Sequence, residues 1–302
     1  MYSMDQIFSG ITQPRNVIRE LNRLCHTRGG RYTYNPEGTG IFEKDWDNLI
    51  ILDACRYDIF EQLASLPGKT EYRYSKAPAT YQFIPANFKD RSLLDTVYVG
   101  ANSWYLKLKE DINSEIYKFI NLQENNDSIE WINQDLRVPT PQTVSKHAKR
   151  AASNHQNKRL IVHFLQPHHP YIGPTAEENF VQNSSSLLDV IEQSHISISQ
   201  LRRAYCETLS TVLPEVEVLL SELNGKTVVT SDHGEMLGDR HDYFPIRDFG
   251  HHPGIFNDST VKVPWHVYED DTRRKVTPDP PVTPNTDERK IDEQLEHLGY
   301  KL

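Results

Sequence analysis

The stretch "KTVVTSDHGEMLGDR", Lys226 to Arg240, decides the fold. A β-branched run, Thr227 to Thr230, stops abruptly at Ser231-Asp232-His233-Gly234-Glu235. A run this short and this β-branched reads as a buried strand, bounded by turn residues. It is apolar without alternation, so both its faces are covered, as in a parallel sheet. The carboxylate, imidazole and glycine at its end then bear on function. In open α/β sheets, ligands bind beyond the carboxyl ends of the strands.

Working outward, the same pattern recurs. "NLIILDA" (48–54) reads as a strand followed by the helical "RYDIFEQLASL". "TVYVGAN" (96–102) is a second strand, and "WYLKLKEDINSEIYKFINL" continues as a predicted helix. "RLIVHFL" (159–165) is a third strand, and a helical pattern runs from about Ser194 to Leu223. "VKVPWHVY" (261–268) is predicted nearer a sheet edge, because Pro264 cannot donate to a ladder. Strands alternating with helices predict an α/β fold, a mainly parallel doubly wound sheet with helices on both faces. The 302 residues fit a single domain, 1–302, with a core of about 45–270. A helix over 13–25 and a Pro-rich connector plus terminal helix over 275–302 are predicted as appendages.

Composition narrows the function classes. A formal net charge of -9 argues against broad nucleic-acid binding, and no aromatic-basic alternation suggests a bound single strand. Cys25, Cys55 and Cys206 are odd in number and far apart, which predicts a reducing compartment rather than a disulfide framework. No apolar run reaches membrane-span length and the N-terminus lacks a signal-type apolar core, so the expected location is cytoplasmic. Val17, Ile18, Leu21 and Leu24 fall at helical spacing with Arg15, Arg19 and Arg23 between them. That helix either packs on the domain or touches an acidic surface at the inner membrane face.

Three strands end in polar residues suited to metals or anions. The first ends at Asp53, the third in "HFLQPHHPY" with His163, His168 and His169, and the fourth at Asp232-His233. His251-His252 follow in "FGHHPG". In a parallel sheet these ends converge on one rim, and a mixed carboxylate and imidazole set suits Mn²⁺ or Zn²⁺. Taken singly, each has a plainer explanation. Asp53 can cap a helix, His163 can be a packed core residue, and Asp-His-Gly can be a turn in which Gly234 supplies positive φ.

Together, "NLIILDACRYD", "HFLQPHHPYIGP", "TVVTSDHGEMLGDR" and "FGHHPG" resemble the landmarks of the sulfatase-like branch of the alkaline phosphatase superfamily. The resemblance spans roughly Asp45 to Tyr268. It implies an alkaline phosphatase-like sheet, divalent metals, and a nucleophile at a helix start that cleaves phosphate or sulfate esters. No Cys lies between Arg56 and Asn102, and Cys55 sits too close to Asp53 to be a formylglycine precursor.

Thr80, in "YSKAPATYQFIPANF", is the candidate nucleophile, with Ser75 as the alternative. Small residues lead into Thr80 and a helical segment follows, so its hydroxyl faces the positive end of a helix. Thr80 also matches, in order along the chain, the Thr of phosphoglycerol transferase and phosphodiesterase relatives. By that resemblance Asp53, Thr80, Asp232 and His233 hold one divalent ion, Mn²⁺ or Zn²⁺ before Mg²⁺ or Ca²⁺. His251 binds a second metal or the substrate, and His168 contacts the transferred group or leaving oxygen. Arg56 and His169 are candidate substrate contacts, although Arg56 has an ordinary partner in Asp58. Glu235 either orients His233 or caps the next turn. Gln166 to His169, with Ile172 where such relatives place a later His, departs from the two-metal pattern and favours one ion.

The expected function is a metal-dependent phosphoester hydrolase or transferase of phosphodiester or phosphoglycerol type, acting through a covalent threonine. The alternatives are a sulfuric ester hydrolase without formylglycine and a non-catalytic metal-binding relative. The substrate implied by the resemblance is an anionic ester of a lipid headgroup or surface glycan. Polar stretches over 175–188 and 121–135 read as specificity loops.

Overall fold

The structure, a computed structural model, describes residues 14–124, 129–181, 187–270, 272–282 and 288–297. The strands in chain order are β1 (Asn48–Asp53), β2 (Lys69–Tyr74), β3 (Ser92–Gly100), β4 (Glu115–Asn121), β5 (Trp131–Asn133) and β6 (Val138–Pro139). They continue with β7 (Arg159–Pro167), β8 (Thr227–Thr230), β9 (Met236–Arg240), β10 (Arg247–Gly250) and β11 (Lys262–Tyr268). Seven of them form one sheet in the order β2-β11-β8-β1-β7-β3-β4. The run from β8 to β4 is parallel, whereas β11 lies antiparallel to both β8 and β2. The fold is therefore the expected α/β sandwich of helices on a mostly parallel sheet, with an antiparallel edge.

The unbroken apolar strands are explained by cover on both faces. Ile50 and Leu52 of β1, Leu160, Val162 and Phe164 of β7 and Val229 of β8 enter one core. Leu49 and Ile51, Ile161 and Val228 enter the other. Helices Pro141–Asn154 and Ile198–Glu222 cover the first face, and Thr80–Phe88 and Trp104–Leu108 the second. The helix Ile198–Glu222 begins with a capping box, in which Ser197 accepts from the Gln200 backbone and Gln200 reaches back. Its buried Leu201, Ala204, Tyr205, Thr208, Leu209 and Val212 recur at helical spacing and face the sheet.

Two expectations are corrected, and one strand escapes the sequence pattern. The helix predicted over 104–122 stops at Leu108, and Glu115–Asn121 is strand β4. Its "EIYKFIN" is rich in β-formers, and pairing with β3 selects the extended form. Strand β2, "KTEYRY", is exposed over its first four residues and so carries no apolar signature. Because β2 forms the edge, β11 lies inside the sheet. Pro264 is tolerated there since pairing with β8 begins only at Trp265.

The terminal helix spans Glu288–His297 and docks through buried Ile291 and Leu295, with Gln294 accepting from Ser103 and Asn121. The stretches 175–188 and 121–135 lie partly outside the described residues, and among those described 174–179 is a short helix.

Candidate metal centre

The carboxyl ends of β1, β7 and β8 bring Asp53, His163 and Asp232 together in the interior. Asp53 is the last residue of β1, and Ala54 after it turns the chain with φ of 60°. That left-handed bend is costly for a residue with a Cβ. It is held by Ala54 N–H donating to Asp232 Oδ1 (3.2 Å) and by the Tyr205 hydroxyl donating to Ala54 O (2.7 Å). Cys55 N–H donates to Ser231 Oγ (2.8 Å), fastening the ends of β1 and β8 side by side. Cys55 itself is a buried thiol in this turn.

Thr80 is the first residue of its helix, after Ala79 in an extended N-cap with no side-chain cap. Its hydroxyl donates to Asp232 Oδ2 (2.7 Å) and lies 3.3 Å from His233 Nε2. His233 donates its Nδ1 hydrogen to Gly234 O (2.8 Å), which leaves the Nε2 lone pair for the cluster. That nitrogen is 3.5 Å from Asp53 Oδ1 and 3.4 Å from Asp232 Oδ2. Gly234 is required for room rather than for a positive φ. A Cβ there would stand 2.3 Å from Ser259 O.

Glu235 does not orient His233. It is buried and accepts from His251 Nδ1 (3.1 Å), and with His168 these residues form a second donor group. His168 donates Nδ1 to the carbonyl of His169 (2.7 Å). The ring of His251 lies 4.2 Å from that of His233 and 5.4 Å from that of His168. His168 and His251 are part-exposed, whereas Asp53, Thr80, Asp232, His233 and Glu235 are buried, so the two histidines form the entrance.

The remaining candidates are placed differently. The Arg56 guanidinium donates to Asp58, to Asp239 (2.6 Å) and to Glu235 O (3.2 Å), so it braces the loop after β8. His169 is buried against Tyr171 and contributes its carbonyl to His168. Ser75 donates to the Asp232 carbonyl and supports that backbone from beneath. Sequence reasoning read His163 as a packed core residue. It is buried, with Nδ1 2.7 Å from the Tyr98 hydroxyl, yet its Nε2 points at Asp53 (3.7 Å) and Asp232 (3.9 Å). Asn102, whose amide donates to Asp53 Oδ2 (3.2 Å), carried no sequence signal beyond its place at the end of the second predicted strand.

Electrostatics sharpen the picture. Burial, then the nearby Asp232 charge, pushes the Asp53 carboxyl well above its usual range. Burial works against the Asp232 carboxylate too, but His233, His163 and the Thr80 hydrogen bond hold it below its usual range. Burial and His251 lower His233 to about 4, so its imidazole is neutral. Burial opposes the Glu235 charge, but His251 first, then His168 and His233, bring it to about 2. Burial disfavours His251⁺, but Glu235 outweighs it and raises His251.

These residues fit a divalent cation. Two carboxylates share one buried pocket, and the histidines beside them among the described residues, His163 and His233, are pushed toward the neutral form by burial. Asp53 Oδ1, His163 Nε2 and Glu235 Oε2 are buried and have no hydrogen-bond partner. Four ligands about 2.1 Å from a tetrahedral ion stand about 3.4 Å apart. His233 Nε2 has that spacing to Thr80 (3.3 Å), Asp232 (3.4 Å) and Asp53 (3.5 Å), whereas Thr80 and Asp232 are drawn to 2.7 Å by their own hydrogen bond.

No family model matches the chain, and no curated protein matches its sequence. Solved structures of sulfatases and phosphoethanolamine transferases do match it, at low sequence identity. One is the C-terminal periplasmic domain of EcEptC from Escherichia coli in complex with Zn, at 15% identity and TM-score 0.47, covering 74% of this chain and 72% of that one. A second is the integral membrane protein lipooligosaccharide phosphoethanolamine transferase A from Neisseria meningitidis, at 14% identity and TM-score 0.44, covering 72% of this chain and 47% of that one. A third is BT1596, a 2-O GAG sulfatase, at 14% identity and TM-score 0.48, covering 77% of this chain and 65% of that one. The chain thus spans less than two thirds of the last two. Among the described residues no helix is long and apolar enough to cross a membrane.

Proposed function

We propose that this protein is a metal-dependent hydrolase or transferase of phosphate esters, with Thr80 as nucleophile. The observation that carries this reading is the Thr80 hydroxyl at a helix start, 2.7 Å from the carboxylate of Asp232, inside a buried Asp53–Asp232–His233 cluster. Asp53, Thr80, Asp232 and His233 would hold Mn²⁺ or Zn²⁺. Bound there, the ion supplies a lowered Thr80 pKa and offsets charge on the ester oxygen.

In this reading the Thr80 hydroxyl gives its proton to Asp232 Oδ2, its present hydrogen-bond partner. The Thr80 Oγ1–P bond forms in line as the ester P–O bond breaks, leaving a phosphothreonine and an alkoxide that takes up a proton from water as it departs as the alcohol. His168 faces the leaving oxygen, and His251 with Glu235 borders the same entrance. Water or an acceptor hydroxyl then releases the phosphoryl group from Thr80. The helix start directs its N–H groups toward the anion. The substrate class is an anionic ester of lipid-headgroup or glycan type, in keeping with the lipooligosaccharide and GAG named for the matched structures.

The complete burial of Thr80 favours a second reading, a protein that holds metal without turning over esters. One experiment separates them. Metal-stripped protein is refilled with Mn²⁺, Zn²⁺, Mg²⁺ or Ca²⁺ and assayed on bis(p-nitrophenyl) phosphate, p-nitrophenyl phosphate and p-nitrophenyl sulfate, beside Thr80→Ala and Asp232→Ala. Metal-dependent diester cleavage, reduced about a thousandfold or more in both variants, is expected. Cleavage of the sulfate alone overturns the substrate class. Turnover untouched by Thr80→Ala moves the nucleophile elsewhere, and metal binding without turnover of any ester establishes the second reading.

A further inference from the structure

Seven large hydrophobic side chains are exposed among the described residues, and four of them lie on two elements that contact each other. Val17 (45% exposed) and Leu21 (40%) lie one turn apart on the N-terminal helix Pro14–His26. Tyr243 (55%) and Phe244 (42%) lie on the turn between β9 and β10. The two elements are joined by Asn22, whose amide donates to Phe244 O (3.1 Å) and whose carbonyl accepts from Phe244 N–H (3.0 Å). His26 packs edge-on against Tyr243 at 5.0 Å between ring centroids.

The helix therefore docks through its polar side. Arg19 grips buried Asp248 with two bonds of 2.7 Å, and Asn22 is buried, while the apolar Val17–Leu21 side faces outward. This inverts the usual arrangement of a surface helix, whose apolar stripe faces the core.

The charge around the patch is also inverted relative to the chain. The whole sequence carries a formal net charge of -9, yet residues 14–31 hold five arginines and one acid, Glu20. Arg15, Arg28 and Arg31 are exposed, and so are Arg240 and Arg247 on the neighbouring hairpin. Among the described residues none of these five pairs with a carboxylate, and Asp242 is the exposed acid of the turn. Exposed apolar side chains on elements that also carry exposed arginines without a carboxylate partner match a surface with acyl chains beneath anionic headgroups.

We propose that the helix Pro14–His26 and the turn 242–245 form a docking surface for an anionic lipid bilayer. The same hairpin fixes where that surface lies in the chain, since β9 starts directly after Glu235 and β10 ends directly before His251. The inference does not depend on the chemistry proposed for Thr80.

The test is co-sedimentation of the full chain with vesicles of phosphatidylcholine alone or with one-third phosphatidylglycerol. Binding to the anionic vesicles only is expected, and it should weaken at about 1 M salt, where the Debye length is about 3 Å. Leu21→Asp with Phe244→Asp should abolish it. Arg15→Gln, Arg28→Gln and Arg31→Gln should each weaken it about fivefold. Melting temperature and hydrolysis of a soluble ester, read in parallel, should stay unchanged in all of them. Failure to bind, equal binding to both vesicles, or binding unaffected by the patch variants overturns the proposal. A self-associated wild type made monomeric by Leu21→Asp also overturns it, and assigns the patch to a second copy of the chain.

Discussion

Asp53→Asn separates a carboxylate kept for a cation from one kept for structure. The ligand atoms of Asp53, His163 and Asp232 lie within 4.8 Å of one another. Two unit charges at that separation repel by about 3.5 kcal/mol at an effective dielectric of about 20. In metal-free protein the cost is met as repulsion or as uptake of a proton by Asp53, whose carboxyl burial and Asp232 raise. Asparagine removes the charge and still offers an oxygen to the Asn102 amide, now 3.2 Å from Asp53 Oδ2. Metal-stripped Asp53→Asn is therefore expected to be more stable than metal-stripped wild type, by up to about 3 kcal/mol. At roughly 2 °C per kcal/mol for a chain of this size, that is roughly 6 °C in a melting scan.

The pH dependence has a definite sign. A carboxyl raised in the folded state loses stability as pH rises from its ordinary value through the raised one, so the advantage of asparagine grows with pH. Metal at a hundred times its Kd should stabilise wild type by about 2.7 kcal/mol and leave the variant almost unmoved. Scanning calorimetry of both proteins, stripped and refilled with Zn²⁺ or Mn²⁺, reads all of this. A stripped variant that melts below stripped wild type, or that keeps the full metal-induced rise, would refute the reasoning and make Asp53 a structural acid.

Further outcomes follow from single contacts. Tyr98→Phe removes the hydroxyl 2.7 Å from His163 Nδ1 and should cost about 1 kcal/mol with about a tenfold loss of metal affinity by titration calorimetry. Unchanged affinity would confine His163 to packing. Gly234→Ala drives a Cβ to 2.3 Å from Ser259 O and should cost about 2–3 kcal/mol in urea unfolding, and a neutral result would mean that this loop yields. His26, which burial and then His241 lower from its ordinary 6.5 to about 4, must gain its proton on unfolding. Stability should fall by about 1 kcal/mol as pH drops through that window, a figure kept below the full shift because the Asp242 carboxylate stands 3.8 Å from His26 Nε2 to meet the proton. His26→Gln should flatten the slope, and a slope unchanged in that variant assigns the loss to other histidines.

By itself, the sequence determined the strands whose signal is local. "NLIILD", "RLIVHFL" and "TVVT" are apolar without alternation because both faces are covered, and that requirement is written into each strand. The convergence of Asp53, Asp232 and His233 was legible for the same reason, since parallel strands present their carboxyl ends on one side. The tertiary structure decided what depends on partners. "EIYKFIN" is a strand only because β3 offers it an edge, and "KTEYRY" only because β11 does. Glu235 serves His251 instead of His233 because the β9–β10 hairpin returns the chain beside it, 16 residues later. Arg56 meets Asp239 because β9 passes beside the turn after β1, and His163 was aimed at two carboxylates by its place on a central strand next to β1. Local pattern reports how a residue meets solvent and core. Which side chain it meets is set by contacts far apart in sequence, and these arise only when the chain is folded.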